Sequence, residues 1–200
     1  MVRDRLILPS SDGGAGIEQL PTLMTLILPA QSKPIEDLRQ ELKSAGCEIS
    51  VLANDVLDAM PLQHRERDEE IELVVISPKA LSFGGFNRLR RSPASTYAHV
   101  CTIAESLGLK KCPAEVGPLL RKALANQPWG RTLLIAMEPK RTTRGNVGIF
   151  GLVALYTVGN LFKKQNWLIA SDYSNESVCY PDDQFVFVRP KKSPSPSEVM

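Results

Sequence analysis

The sequence predicts an α+β fold in which one mixed sheet is covered by helices, and three observations lead to this fold class. Segments with helical and with strand-like apolar spacing alternate in the first half of the chain. The second half holds four strand-like segments joined by short turns. With 200 residues and 43% apolar side chains, the chain is long enough to bury one sizeable core. The predicted order is an N-terminal β-α-α-β unit, two further helices and a C-terminal antiparallel meander.

The N-terminal unit is predicted from two aliphatic runs that flank two amphipathic helices. The first strand covers 22–28, and Ser32 is placed to cap the helix that follows it. A second helix, capped by Ser50, extends to Met60 before the second strand at 73–76. Two strands joined through helices favour a parallel or mixed sheet with a right-handed crossover.

The remaining elements are two helices and four strands. Ser92 and Pro93 begin a helix that ends at Gly108, and further helical structure leads from Cys112 to Leu124. Short connections rich in Gly, Asn and Asp then favour antiparallel pairing between successive strands. The four predicted strands cover 132–137, 149–158, 167–171 and 184–188.

The composition of the two ends predicts one domain with disordered extensions. Residues 1–20 form a head rich in Gly, Ser and Asp, and residues 191–200 form a tail rich in Pro, Ser and Lys. The single α+β domain is therefore expected over 22–190. Met24 opens the first strand and is an alternative to Met1 as the start of translation.

The apolar segments predict neither a membrane span nor export. The longest of them, 147–158, is shorter than the roughly 18 residues that a spanning helix needs, and two glycines interrupt it. Pro9 and Asp12 end the short N-terminal aliphatic run before it could serve as a signal sequence. The sequence thus predicts a cytoplasmic location and no membrane partner.

Charge is distributed unevenly between the two parts of the chain. Residues 1–72 carry a net charge of −7 and residues 73–200 a net charge of +9. This asymmetry has two interpretations, a basic surface for an acidic partner and attraction between the two parts within one fold. We favour the second.

The side chains that usually carry catalysis or bind metals are few and dispersed. No CxxC spacing is present, and no histidine lies beside a cysteine in the pattern of a nucleophile and its base. The sequence therefore predicts no metal, no cofactor and no catalytic residue, and it favours reduced, buried thiols. The residues concerned are Cys47, Cys101, Cys112, Cys179, His64 and His99.

The leading functional prediction is consequently a non-enzymatic interaction or accessory domain that binds a partner protein. An alternative is nucleic-acid binding, because arginines clamp phosphates while aromatic rings stack on bases. Two basic loops, 83–91 and 140–144, favour this alternative, although the chain as a whole is nearly neutral. The candidate binding residues are Phe83, Phe86, Arg88, Arg90, Arg91, Lys140, Arg141 and Arg144.

A third and less favoured hypothesis is a hydrolase with a carboxylate-based site. Several acidic residues follow predicted strands and could meet at one rim of the sheet. Paired carboxylates perform acid–base catalysis or hold a divalent ion, whereas isolated ones keep turns soluble. The candidates are Glu138, Asp172, Asp182 and Asp183.

Three segments of the chain form a recognisable pattern: Cys-Pro-Ala-Glu-Val-Gly-Pro-Leu-Leu-Arg at 112–121, Leu-Ile-Ala-Met-Glu-Pro at 134–139, and Pro-Asp-Asp with Phe-Val-Phe-Val within 181–188. In these segments the chain resembles a family of uncharacterised proteins common in uncultivated, small-genome bacteria. The resemblance extends from Met24 to about Pro190. It implies an architecture and a bacterial cytoplasmic location, and it implies no activity.

One loop departs from the pattern of that family. The family usually has Asp-Ser-Asp-Gly after the Glu-Pro pair, whereas this chain has Lys-Arg-Thr-Thr-Arg-Gly at 140–145. If the acidic form binds an ion or ligand in the family, the resemblance implies that this chain lacks that site. From Ala104 onward, the order of helix, proline, glutamate and sheet is also similar to small bacterial immunity-type modules, which bind a partner protein.

Overall fold

The computed structural model describes residues 20–81, 95–156 and 164–190. Most of the predicted head, all of the predicted tail and the basic loop 83–91 lie outside these residues. The helices of the described part are α1 (Ile35–Ser44), α2 (Val51–Asp58), α3 (Pro78–Leu81), α4 (Tyr97–Ser106) and α5 (Val116–Ala123). The strands are β1 (Thr22–Leu28), β2 (Cys47–Ile49), β3 (Glu69–Ile76), β4 (Ser95–Thr96), β5 (Leu133–Ile135), β6 (Lys140–Arg141), β7 (Val147–Tyr156), β8 (Lys164–Asp172), β9 (Val178–Cys179) and β10 (Gln184–Arg189).

Two of the described helices begin at a side chain that accepts a hydrogen bond from a backbone N–H group of the first turn, α2 at Ser50 and α4 at Thr96. The predicted cap at Ser50 is confirmed, since its hydroxyl accepts a hydrogen bond from the Ala53 amide at 3.2 Å. The predicted cap at Ser32 is wrong, because its hydroxyl accepts instead from the backbone N–H of Gln63 at 3.0 Å. The described part of α4 begins at Tyr97, after Thr96, and the predicted start at 92–93 lies outside the described residues. None of the described helices is both long and apolar enough to cross a membrane.

The main sheet is mixed, which confirms the predicted α+β class. Its strand order is β1-β3-β10-β5-β7-β8-β2, and β6 pairs with β7 beside this path. Two of the pairings are parallel, β10 with β5 and β2 with β8, and the others are antiparallel. A separate ribbon joins β4 and β9.

The N-terminal unit differs from the predicted β-α-α-β crossover. Strands β1 and β3 are neighbours but run antiparallel. The connection between them contains the unpredicted strand β2, which pairs at the opposite edge of the sheet. The chain thus crosses the whole sheet through α1 and returns through α2, so β3 arrives beside β1 in the reverse direction.

The predicted C-terminal meander is present for three of its four strands. Strands β5, β7 and β8 are successive antiparallel neighbours, as predicted, but β10 lies between β3 and β5. Its four consecutive residues Phe185–Val188 are all buried, with at most 8% of each exposed. A strand that is apolar at every position needs cover on both faces, which a central place in the sheet provides.

Helices cover the sheet on both faces. On one face α5 approaches β7 so closely that Gly117 lies against Phe150, and Val56 of α2 lies near Gly148. On the other face Tyr97 of α4 packs against Phe185 of β10, with ring centroids 5.8 Å apart. The hydrophobic core consequently occupies both sides of the central strands.

Candidate functional site

The basic loop 140–144 forms the hairpin that joins β6 to β7. Lys140 and Arg141 pair with the start of β7, and the turn between the strands closes through a hydrogen bond from the Thr142 amide to the Asn146 carbonyl at 2.8 Å. The Arg144 side chain is 64% exposed and lies 3.4 Å from Asp55 of α2. The other predicted basic residues, Phe83 to Arg91, lie outside the described residues.

Of the four predicted acidic residues, Asp182 and Asp183 share one turn, whereas Glu138 and Asp172 have other neighbours. Glu138 pairs with Lys111, and Asp172 faces Gly148 across the β7–β8 pairing. The Asp183 carboxylate accepts hydrogen bonds from the Tyr180 amide at 2.7 Å and from the Tyr173 hydroxyl at 3.3 Å, which closes the turn that contains Asp182. Within the described residues, no group of three or more His, Cys, Asp or Glu side chains is arranged to hold a metal ion.

All four cysteines are free and buried. Burial raises the pKa of Cys101 to about 11 and that of Cys179 to about 12. Burial also raises the pKa of Cys112 and, against the opposing effect of the nearby Arg121, that of Cys47. These thiols are therefore protonated at neutral pH, and a protonated thiol is a poor nucleophile.

Tyr97 places a hydrogen-bonded hydroxyl in the apolar core beneath α4. Its hydroxyl donates to the Met137 carbonyl at 2.7 Å and accepts from the Met137 amide at 2.8 Å. Its ring packs edge-on against Tyr173, with centroids 5.7 Å apart. Burial raises the pKa of Tyr97 well above its usual range. The hydroxyl thus ties α4 to the chain after β5 and stays protonated.

The segments that carry the family resemblance are packing segments in this structure. The Cys112 thiol donates to the Val186 carbonyl of β10 at 3.3 Å, and Gly117 contacts Phe150. Glu115 is almost fully buried and forms an ion pair with Arg65 at 2.8 Å. No sequence pattern predicts this pair, because Arg65 and Glu115 are far apart along the chain.

A small crevice lies beside Glu115, between α1, α5 and the chain around Met60. Its walls are mostly apolar and include Ile35, Leu38 and Leu119. The Oε1 atom of Glu115 is buried there without a hydrogen-bond partner among the described residues. The enclosed space is about 10 Å³, which is room for a single water molecule and not for a larger ligand.

A buried polar network lies behind the loop after α5. Arg121 is fully buried and donates to the Gln127 side-chain oxygen at 2.6 Å and to the Leu124 carbonyl. The Gln127 amide nitrogen donates in turn to the backbone carbonyls of Arg131 at 2.7 Å and Leu152 at 2.8 Å. These bonds fix the loop 124–131 against β7.

The fixed loop presents an exposed aromatic pair. The rings of Trp129 and Tyr156 have centroids 5.7 Å apart with 44° between their planes. They are 61% and 46% exposed, and the Gly130 amide anchors the loop to the Ala154 carbonyl at 3.2 Å. Tyr156 lies opposite Lys164 on β8, and Arg131 follows in the loop. We call Trp129, Tyr156, Arg131 and Lys164 the aromatic corner.

The aromatic corner lies in a part of the chain that is poor in acidic residues. Between Val116 and Ser171, Glu138 is the only acidic residue. Glu48 of β2 lies opposite Trp167, so it points to the other face of the sheet from Tyr156 and Lys164. The two charged residues of the corner itself, Arg131 and Lys164, are both basic.

Sequence reasoning missed the aromatic corner. Trp129 lies in a predicted turn and Tyr156 in a predicted strand, and no motif links them. Only their exposure and contact in the fold identify the pair, so its chemistry has to be judged from its own residues. Comparisons with protein-family models, with curated proteins and with solved structures give no match for this chain.

Proposed function

We propose that this protein is a non-enzymatic interaction domain that binds a partner protein through the aromatic corner. The observation that carries the proposal is the exposure of Trp129 and Tyr156 on a loop and strand held in place by buried hydrogen bonds. Trp, Tyr and Arg are the residue types that contribute most to binding energy at protein interfaces. The corner contains all three.

The surroundings of the reactive groups support a binding role over a catalytic one. The thiols are buried and protonated, and both histidines are exposed. The nearest cationic partner of Glu138 is Lys111, and Asp183 is used in a turn. Catalysis by a nucleophile requires a base beside it. Among the residues that the structure describes, no group of three or more His, Cys, Asp or Glu side chains is arranged to hold a metal ion.

Nucleic-acid binding is a second candidate, which the scarcity of acidic residues between 116 and 171 favours. The hairpin at 140–144 and the aromatic corner could both contact phosphates. However, Lys140 lies opposite Gly148 and the corner begins at Tyr156, so the two basic regions lie at opposite ends of β7. At about 3.3 Å per residue the separation is roughly 26 Å. This distance weakens the case for one continuous binding track.

We also propose, from the resemblance described above, membership of that bacterial family and a cytoplasmic location. The burial of Cys112, Val116 and Ile135 supports a shared architecture, since these residues belong to the segments that carry the resemblance. Immunoblotting of fractionated source cells tests the location. Recovery of the protein with the membrane or the medium would contradict it.

A pair of matched double variants tests the interaction function. Trp129→Ala/Tyr156→Ala removes the aromatic corner, and Val178→Ala/Tyr180→Ala removes exposed apolar side chains elsewhere. We expect the tagged protein and the control variant to retain one stoichiometric partner protein from source cells, and the corner variant to lose it. Turnover of a compound in a small-molecule library, or equal retention by both variants, would contradict the proposal.

A further inference from the structure

The chemistry of the aromatic corner indicates what kind of partner surface fits it. We infer that the corner docks an acidic segment of the partner protein, with one apolar side chain of that segment against the Trp129 and Tyr156 rings. This inference rests on the proposed interaction function and adds the chemical class of the partner.

The apolar part of the inference follows from how the two rings are held. Each ring already packs against the other, and together they leave a large exposed apolar area. Gln127 and Gly130 bond to the backbone of β7 directly behind them. A surface that is ordered before binding loses little conformational entropy when an apolar side chain packs on it.

The acidic part of the inference follows from the charges around the rings. Arg131 is exposed in the same loop as Trp129, and Lys164 lies opposite Tyr156. The nearest acidic residue of the neighbouring strand, Glu48, is on the opposite face of the sheet. Charge complementarity therefore selects an acidic partner and raises its association rate at low salt.

The geometry of the rings favours a peptide over a nucleic acid. A base stacks parallel to a ring, but the 44° tilt and close contact leave no flat gap between Trp129 and Tyr156. A nucleic acid also needs a line of cations along its backbone. The hairpin 140–144, which is the other described basic region considered for nucleic acid, lies at the far end of β7.

Selection of random peptides tests the inference without knowledge of the natural partner. Phage-displayed peptides of about twelve residues are selected on the full chain after depletion on the bare support. We expect the selected peptides to be acidic and to contain an apolar or aromatic residue. Calorimetry with one of them should show affinity that falls about tenfold or more in Trp129→Ala and in Arg131→Glu/Lys164→Glu. Affinity should also fall as salt is raised.

The controls separate a lost contact from a lost fold. Trp129→Phe keeps an aromatic ring and is expected to keep most of the affinity. Tyr180→Ala and Lys110→Glu change an exposed aromatic and an exposed cation elsewhere, and each is expected to change the affinity less than about twofold. Circular dichroism of every variant should match that of the unaltered chain.

Each contrary outcome has a distinct meaning. Selected peptides that bind equally well to the corner variants would overturn the inference and leave the interaction function standing. Failure to select any peptide above background would contradict both. Tighter binding of fluorescent single-stranded oligothymidylate than of any peptide, lost in Trp129→Ala, would overturn the acidic-protein inference in favour of nucleic acid.

Discussion

Gly117 is the position where α5 approaches the sheet most closely. A Cβ atom there would lie 2.6 Å from Cδ2 of Phe150, far inside normal contact distance. We therefore predict that Gly117→Ala lowers the free energy of unfolding by about 1–3 kcal/mol, measured by urea denaturation. Combining it with Phe150→Leu should recover part of that loss. If the stability losses of Gly117→Ala and Phe150→Leu simply add in the double variant, the contact between the two residues is not the cause of the first loss.

Tyr97 offers a second test, because its hydroxyl satisfies two backbone groups. Tyr97→Phe keeps the ring but leaves the Met137 carbonyl and amide without their partner. The expected loss is about 2 kcal/mol or more in the free energy of unfolding. Tyr180→Phe, at an exposed ring, is the control and should change stability by less than about 0.5 kcal/mol. Equal effects of the two substitutions would contradict the assigned role.

Single residues were predictable where the sequence carries a local pattern. The Ser50 cap and the buried run Phe185–Val188 have such patterns, and both were recognised as structural. The ion pair of Arg65 with Glu115 and the contact of Gly117 with Phe150 join residues that are distant along the chain. No spacing rule connects them. The aromatic corner was not predicted because Trp129 and Tyr156 are likewise distant along the chain.

At the scale of elements, β10 determines whether the two parts of the sheet are joined. It pairs with β3 on one side and with β5 on the other. We predict that a chain ending at Asp183 does not fold, whereas a chain ending at Pro190 keeps its cooperative thermal transition. Circular dichroism during heating measures both. A cooperative transition in the shorter chain would show that the sheet forms without β10.

The elements that the sequence predicted are those with several turns or several alternating residues. The longer helices and strands have enough residues for an apolar period to be visible. Strands β4, β6 and β9 have two residues each and β2 has three, so they have no period to recognise. Strand β5 also has three residues, but it lies within the longer apolar segment 132–137 that was predicted as a strand. It was harder still to predict which strands are neighbours in the sheet. The path from β1 to β3, for example, depends on the pairing of β2 with β8.

For the whole molecule, the uneven charge distribution is partly neutralised within the fold. Among the described residues, acidic residues of the first part form ion pairs with basic residues of the second part. Examples are Glu41 with Lys122 at 2.8 Å, Asp55 with Arg144 at 3.4 Å and Glu72 with Arg189 at 2.9 Å. The contacts support the interpretation that the two parts attract each other, whereas both charged residues of the aromatic corner, Arg131 and Lys164, are basic.

Because the thiols are buried, the stability of the whole molecule is expected to decrease at alkaline pH. Folding raises the pKa of Cys101 from its ordinary value of 9.0 to about 11, chiefly through burial. The unfolded chain therefore loses this proton more readily than the folded one. The stabilisation that comes from the protonated Cys101 thiol is complete below pH 9 and is lost as the pH rises toward 11.

We accordingly predict that the free energy of unfolding in urea decreases between pH 9 and pH 11, the ordinary and the folded pKa of Cys101. The decrease should be smaller in Cys101→Ala, which has no thiol to ionise at that position. Stability that is constant over this range, or an unchanged slope in the variant, would contradict the prediction.

The central place of the last strand also bears on how the chain is made in the cell. During synthesis, β3 and β5 emerge from the ribosome well before β10. Until β10 emerges, the edge of each strand that will pair with it has unpaired backbone donors and acceptors. Such open edges attract other nascent chains, and pairing over long sequence separations is slow. We therefore expect chaperone binding during synthesis to persist until β10 leaves the exit tunnel.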